Sequence, residues 1–188
     1  MRIIFIVLAI VLLPALVCAG VEDDLSADAP DTRIKAAQAI TAQESVAPEV
    51  VPALVKALSD TYLKVRDGAA MALGKAGPTA VKPTLAALQS DDYHSQIWAA
   101  RALGAMGSWA STPEVARALV ANARIRSVDG RRQMMAAWAL TKVNPTDASL
   151  ASELEHAYLD AELSTTRTYL ARVILRLGEA GRPALIEY

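Results

Sequence analysis

Thiols are almost missing from this chain: its one cysteine, Cys18, lies near the start. If that segment is removed on maturation, disulfides, thiolate metal sites and a cysteine nucleophile are all excluded. Only two histidines occur, His94 and His156, far apart and neither followed by Glu. Aromatics make up 5% of the residues, with a single Phe, so one large aromatic-filled core is not expected. The formal net charge is −1, which leaves no general electrostatic footprint for nucleic acid. No valine-rich alternating run marks a sheet, and the expected fold class is all-α. No Ser-His-Asp arrangement, glycine-rich phosphate loop or metal-ligand spacing appears. Asp91-Asp92 beside His94 comes nearest to a metal cluster, but it falls in a turn where acidic residues cap helices.

A repeated helix is what the chain has in place of these. Val65-Arg66-Asp67-Gly68-Ala69-Ala70-Met71-Ala72-Leu73-Gly74 is packed with small residues and followed by Gly77. Its Ala-Ala-x-Ala-Leu-Gly core returns at Ala99 to Gly104, thirty residues on, and more loosely at Ala136 to Thr141. Ala36 to Thr41 fits the same frame upstream, and Leu177-Gly178-Glu179-Ala180-Gly181 fits it downstream. A second segment follows each copy, anchored at Leu54, Leu85, Leu119 and Leu154. Two helices and two turns per unit of about thirty to thirty-seven residues give the period of a helical solenoid. Gly74, Gly77, Gly104, Gly107, Gly178 and Gly181 are expected at helix stops, and Pro78 and Pro113 at helix starts.

The N-terminus reads separately. Met1-Arg2, an apolar run from Ile3 to Val17, and the tripeptide Val17-Cys18-Ala19 predict a signal peptide over 1–19, cut after Ala19. Pro14, just ahead of the tripeptide, favours cleavage. An uncleaved inner-membrane anchor is the alternative, because a spanning helix needs roughly 18 apolar residues. Residues 20–30 are acidic and small, and are expected to form a flexible linker ahead of a repeat domain over 31–188.

The unit resembles the HEAT repeat, and within it the short HEAT-like repeats of phycobilisome-lyase type, whose first helix carries V-R-x-x-A-A-x-A-L-G. Residues Val65 to Gly74 match that pattern throughout; the third unit has Ser95-Gln96 in place of Val-Arg. The resemblance covers about 31–188. It implies a right-handed α-α superhelix of about five two-helix repeats, with the second helices lining a concave binding side. Some proteins with this repeat are catalysts, including phycobilin lyases and an iron-dependent deoxyhypusine hydroxylase built on paired His-Glu motifs. Glu155-His156 is the reverse order and occurs once, so no such metal or cofactor site is expected here.

The sequence-level expectation is therefore a non-catalytic scaffold or adaptor of the cell envelope, periplasmic or secreted, that binds a protein partner along its concave face. The alternatives are a HEAT-like enzyme or enzyme accessory, lyase- or hydroxylase-related, and a subunit of a larger envelope complex. Candidate partner-binding residues on the second helices are Lys56, Ala87, Arg117, Ala121, Ser152 and His156. Arg124, Arg126, Arg131 and Arg132 form a basic loop suited to an anionic ligand or to pairing with the acidic helix that follows. The apolar Ala184-Leu185-Ile186 end of a short fifth repeat is expected to fold back or to meet a capping partner.

Overall fold

Alanine spacing dictates the architecture. In a computed structural model, residues 20, 22–127 and 129–177 are described; the predicted signal peptide and the segment 178–188 lie outside them. The described helices from Pro30 onward are α1 (Pro30–Ala42), α2 (Val51–Ala57), α3 (Leu63–Lys75), α4 (Val81–Leu88) and α5 (Tyr93–Met106). They continue as α6 (Pro113–Arg124), α7 (Arg131–Val143), α8 (Ala151–Asp160) and α9 (Ser164–Arg176). Among the described residues there is no strand, and no helix is long and apolar enough to cross a membrane.

The odd-numbered helices stack in one row and the even-numbered helices in another. Ile40, Leu73, Leu103, Leu140 and Ile174, each at most 1% exposed, run through the stack at one per repeat. Each such side chain contributes about 1.5–3 kcal/mol on burial. Their register corrects the sequence frame of the last unit. Ile174-Leu175, not Leu177-Gly178, occupies the Leu73-Gly74 position.

The glycines divide into two kinds, where the sequence suggested one. Gly77 and Gly107 take positive φ of +73° and +57° just past α3 and α5, backbone that favours glycine, and Asn144 ends α7 in the left-handed conformation with φ of 50°. Gly74 and Gly104 lie inside their helices and are fully covered by the next one. A Cβ on Gly74 would stand 2.6 Å from the Ala105 Cβ, and one on Gly104 would stand 2.4 Å from the Trp138 ring. These two positions are small because helices cross there, not because helices end. Pro78 likewise belongs to a short 3-10 turn, Gly77–Ala80, ahead of α4, whereas Pro113 opens α6 directly.

Four of the five repeats are tied to the turn before them by a side chain at one recurring position. Arg33 donates to the Ala27 carbonyl (2.8 Å), and Arg66, Gln96 and Arg167 donate to the carbonyls of Asp60, Ser90 and Ala161. Every one of these partners lies six residues back. Asp60 and Arg66, six residues apart in one repeat, do not pair through their side chains. The Asp60 carboxylate instead takes Arg33 of the preceding repeat at 2.6 Å, because the Arg66 guanidinium is spent on backbone carbonyls.

The acidic stretch 20–30 is not a free linker. Residues 22–25 are helical and Leu25 is 5% exposed within the core. One apolar anchor, with Arg33 holding the Ala27 and Asp28 carbonyls, draws it onto the first repeat.

Candidate functional site

The two rows present different faces. Along the even row, buried positions recur as Leu54, Thr84, Leu119 and Leu154, so the second unit packs on Thr84 and not on Leu85. That one-residue shift rotates the outward face by about 100°. Ala87, expected in the open row, is 8% exposed and belongs to the core; Ala86 takes its place outside. The outward even row is then Lys56, Ala86, Ala121 and His156, with Pro52, Lys82, Arg117 and Ser152 beside it, all exposed. Arg117 pairs with Asp147 at 3.3 Å. Lys56 borders a polar cleft of about 310 Å³ whose main charges, Arg33 and Asp60, already neutralise one another. The even-row face is therefore small-residued and sparsely charged.

The odd row is built for closer approach. Besides the Gly74 and Gly104 crossings, a Cβ on Gly68 would meet the Ala37 Cβ at 2.8 Å. Neighbouring helices of this row are in far more intimate contact than those of the even row.

The outward face of the odd row carries the large side chains. Successive repeats place Met71, Arg101, Trp138 and Arg172 at one outward position, and Trp98, Met135 and Tyr169 at the adjacent one. Trp98, Met135, Trp138 and Tyr169 pack on the core with one side and are half-buried. Met71 is 38% exposed. Cations sit over the indoles: Arg66 and Arg101 lie 5.9 and 5.7 Å from the Trp98 ring centre, and Lys142 lies 5.8 Å from that of Trp138. Arg101 is anchored by Asp67 at 2.8 Å. The thirty- and thirty-seven-residue steps linking Met71, Arg101 and Trp138 are the sequence signal that they share one face.

The four loop arginines separate in space. Arg126 and Arg132 line a cavity of about 450 Å³ with Tyr93, Ser127 and Asp129, whereas Arg124 and Arg131 do not line it. Arg131 pairs with Asp129 at 3.2 Å, and Arg126 reaches Asp160 of the acidic helix α8 only at 4.0 Å. The Tyr93 hydroxyl donates to Asp129. Burial pushes the Tyr93 phenol up, and that bond adds to the shift. The same bond holds the Asp129 carboxyl below the usual carboxylate range, with the Arg131 amide adding to it. Asp147 is lowered by its Ser149 hydrogen bonds and by Arg117. Asp92 caps α5 by accepting the Ser95 amide at 2.6 Å; burial pushes its carboxyl up, but the Ser95 hydrogen bonds and nearby positive charge together bring it below its ordinary value. His94, nearby, is exposed, and no group of three or more metal-binding side chains occurs among the described residues.

A family model for HEAT repeats matches residues 21–94 and 64–141, more than half of the chain. The chain is a HEAT-repeat protein. No curated protein matches it in sequence. Among solved structures it is similar to the complex of CpcE and CpcF of phycocyanin lyase from Nostoc sp. PCC7120, with a TM-score of 0.62 and 22% identity. The likeness covers 85% of this chain but only 64% of the lyase chain, so the HEAT-repeat protein spans under two thirds of that length. An engineered protein matches with a TM-score of 0.58 at 22% identity, covering 89% of this chain and 88% of its own. A second engineered protein gives 0.54 and 23%, covering 89% and 83%. At these identities the neighbours speak for the solenoid fold and not for a reaction.

Proposed function

We propose that this HEAT-repeat protein is a non-catalytic scaffold of the cell envelope that docks a protein partner across the face of its first helices. One observation carries the proposal: Met71, Trp98, Arg101, Trp138, Tyr169 and Arg172 form a half-exposed band across four successive repeats. Tryptophan, tyrosine, methionine and arginine are the side chains enriched where proteins meet. A fixed aromatic anchor with a cation held over its ring loses little entropy when a partner covers it. The surrounding charge is mainly positive, from Lys64, Lys75, Lys142 and Arg172, which favours an acidic segment bearing apolar anchors.

Export is supported by the basic start, the apolar run and the Val17-Cys18-Ala19 tripeptide. The non-catalytic reading is supported by the direction of the titration shifts. Asp92, Asp129 and Asp147 move down and Tyr93 moves up. All four move away from neutrality, the opposite of what a general acid or base needs.

Affinity capture from envelope extract tests the reading. It would use the mature chain, a first-helix variant (Met71→Glu with Arg172→Glu) and a second-helix variant (Arg117→Glu with Ala121→Arg). A partner lost only by the first-helix variant supports the proposal. Loss only by the second-helix variant moves docking to the opposite row. Equal capture by all three, or none by any, refutes docking on this face.

A further inference from the structure

The cavity between the starts of α5 and α7 is not accounted for by the docking face. Its acid is already engaged: Asp129 accepts the Tyr93 hydroxyl and the Arg131 amide (3.1 Å) and faces the Arg131 side chain. Its bases are not. Arg132 has no carboxylate within 4.0 Å among the described residues, and its Nε is buried without a hydrogen-bond partner. The Arg132 guanidinium lies 5.2 Å from the Tyr93 ring centre, so its plane is steadied beside an aromatic wall. Arg126 has only the distant Asp160. Two guanidinium groups with spare donors thus line one space.

The loop beneath is also the exception among the repeats. Gln133 stands where Arg33, Arg66, Gln96 and Arg167 each hold the carbonyl six residues back. It is 0% exposed, and neither of its amide atoms has a partner among the described residues. The tie that fixes the other turns is not made here, where Arg126 and Arg132 line the cavity.

We infer that this cavity is an oxyanion site, taking a carboxylate or phosphate group between Arg126 and Arg132. Guanidinium is planar, permanently charged and forked, and such groups bind carboxylate and phosphate through paired hydrogen bonds. A bare ion would leave most of about 450 Å³ empty, so the oxyanion is carried on a larger body that rests against Tyr93. The inference does not depend on docking across the first-helix face.

The test is solution NMR on the labelled mature chain, following backbone amides and arginine Nε–H signals. Inorganic phosphate, phenyl phosphate and benzoate would be titrated separately at constant ionic strength, with chloride as the blank. The expected result is saturable movement of the Tyr93, Ser127 and Arg132 signals with at least one of the oxyanions. The aromatic-bearing form should bind tighter than inorganic phosphate. Comparing phenyl phosphate with benzoate tells phosphate from carboxylate. Arg132→Gln and Arg126→Gln should each weaken binding about tenfold, which is ~1.4 kcal/mol. Arg124→Gln, an exposed arginine outside the cavity, should leave it unchanged. Movement that never saturates, that chloride reproduces, or that survives both cavity substitutions in folded protein overturns the inference.

Discussion

Replacing Gly74 with alanine sets two known effects against each other. Alanine in a helix interior is favoured over glycine by about 0.5–1 kcal/mol. The added Cβ, however, would stand 2.6 Å from the Ala105 Cβ and 3.4 Å from its carbonyl carbon. Carbon atoms rest about 3.5–4.0 Å apart, so α3 and α5 must separate by about 1 Å at that point. Neither atom belongs to a flexible side chain, so only backbone movement relieves the overlap. Overpacking of this kind costs about 1–3 kcal/mol. Gly74→Ala is therefore expected to destabilise by up to about 2.5 kcal/mol net, despite its better helix propensity.

The decisive version is a swap. Ala105→Gly alone should cost about 0.5–1 kcal/mol, because it only weakens α5. The double variant moves the methyl across the interface and removes the overlap. It should recover most of the Gly74→Ala loss, giving a coupling of about 1–2 kcal/mol between the two sites. Urea unfolding followed by circular dichroism, with matching slopes for all four proteins, measures this. A stabilising Gly74→Ala, or strict additivity in the double variant, would refute the claim that helix crossing chose glycine here.

Other consequences follow from burial and titration. Leu119→Ala, at a 0% exposed position, should cost about 2–5 kcal/mol, whereas Leu175→Ser, at 64% exposure, should stay within about 0.5 kcal/mol by the same assay. Gln133→Leu removes two buried unpartnered polar atoms and should stabilise by about 1–2 kcal/mol; destabilisation would mean the amide is bonded in solution. The lowered carboxyls of Asp92, Asp129 and Asp147 contribute stability above their ordinary value of 3.8, and this is lost as pH falls below it. The raised Tyr93 contributes below its ordinary value of 10.0 and loses that contribution as pH rises past it. Tm should thus be level between about pH 5 and 9, and Tyr93→Phe should flatten the alkaline fall specifically.

The row architecture was legible in the sequence because alanine pairs recur at helical spacing, and Ala36-Ala37, Ala69-Ala70, Ala99-Ala100 and Ala136-Ala137 all lie at helix crossings. Register was less legible wherever a polar residue replaced an apolar one. Thr84 is 0% exposed, its hydroxyl unpartnered among the described residues, while Leu85 beside it is only half-buried. Aligning leucine with leucine therefore rotated the second unit and placed Ala87 outside. The close packing of the first helices was hidden for another reason. Which row is tighter depends on inter-helix distance, and a run such as Ala-Ala-x-Ala-Leu-Gly reads equally as a helix end or as a crossing point. Only the overlap at Gly74 and Gly104 separates those readings.

Fold and surface are linked through those same glycines. Because Gly68, Gly74 and Gly104 let the first helices close up, the side chains of consecutive repeats at the Met71 and Trp98 positions are brought within reach of one another: Arg101 of the third repeat contacts Met71 of the second at 3.8 Å while lying over Trp98 of its own. A substitution that widens the row should therefore loosen the band as well as the core. If docking depends on that band, Gly74→Ala should weaken partner capture in proportion to its loss of stability, and the Ala105→Gly second change should restore both. Restored stability without restored capture would place the docking site elsewhere, since the two readouts share one cause only if the tight row and the band are the same structure.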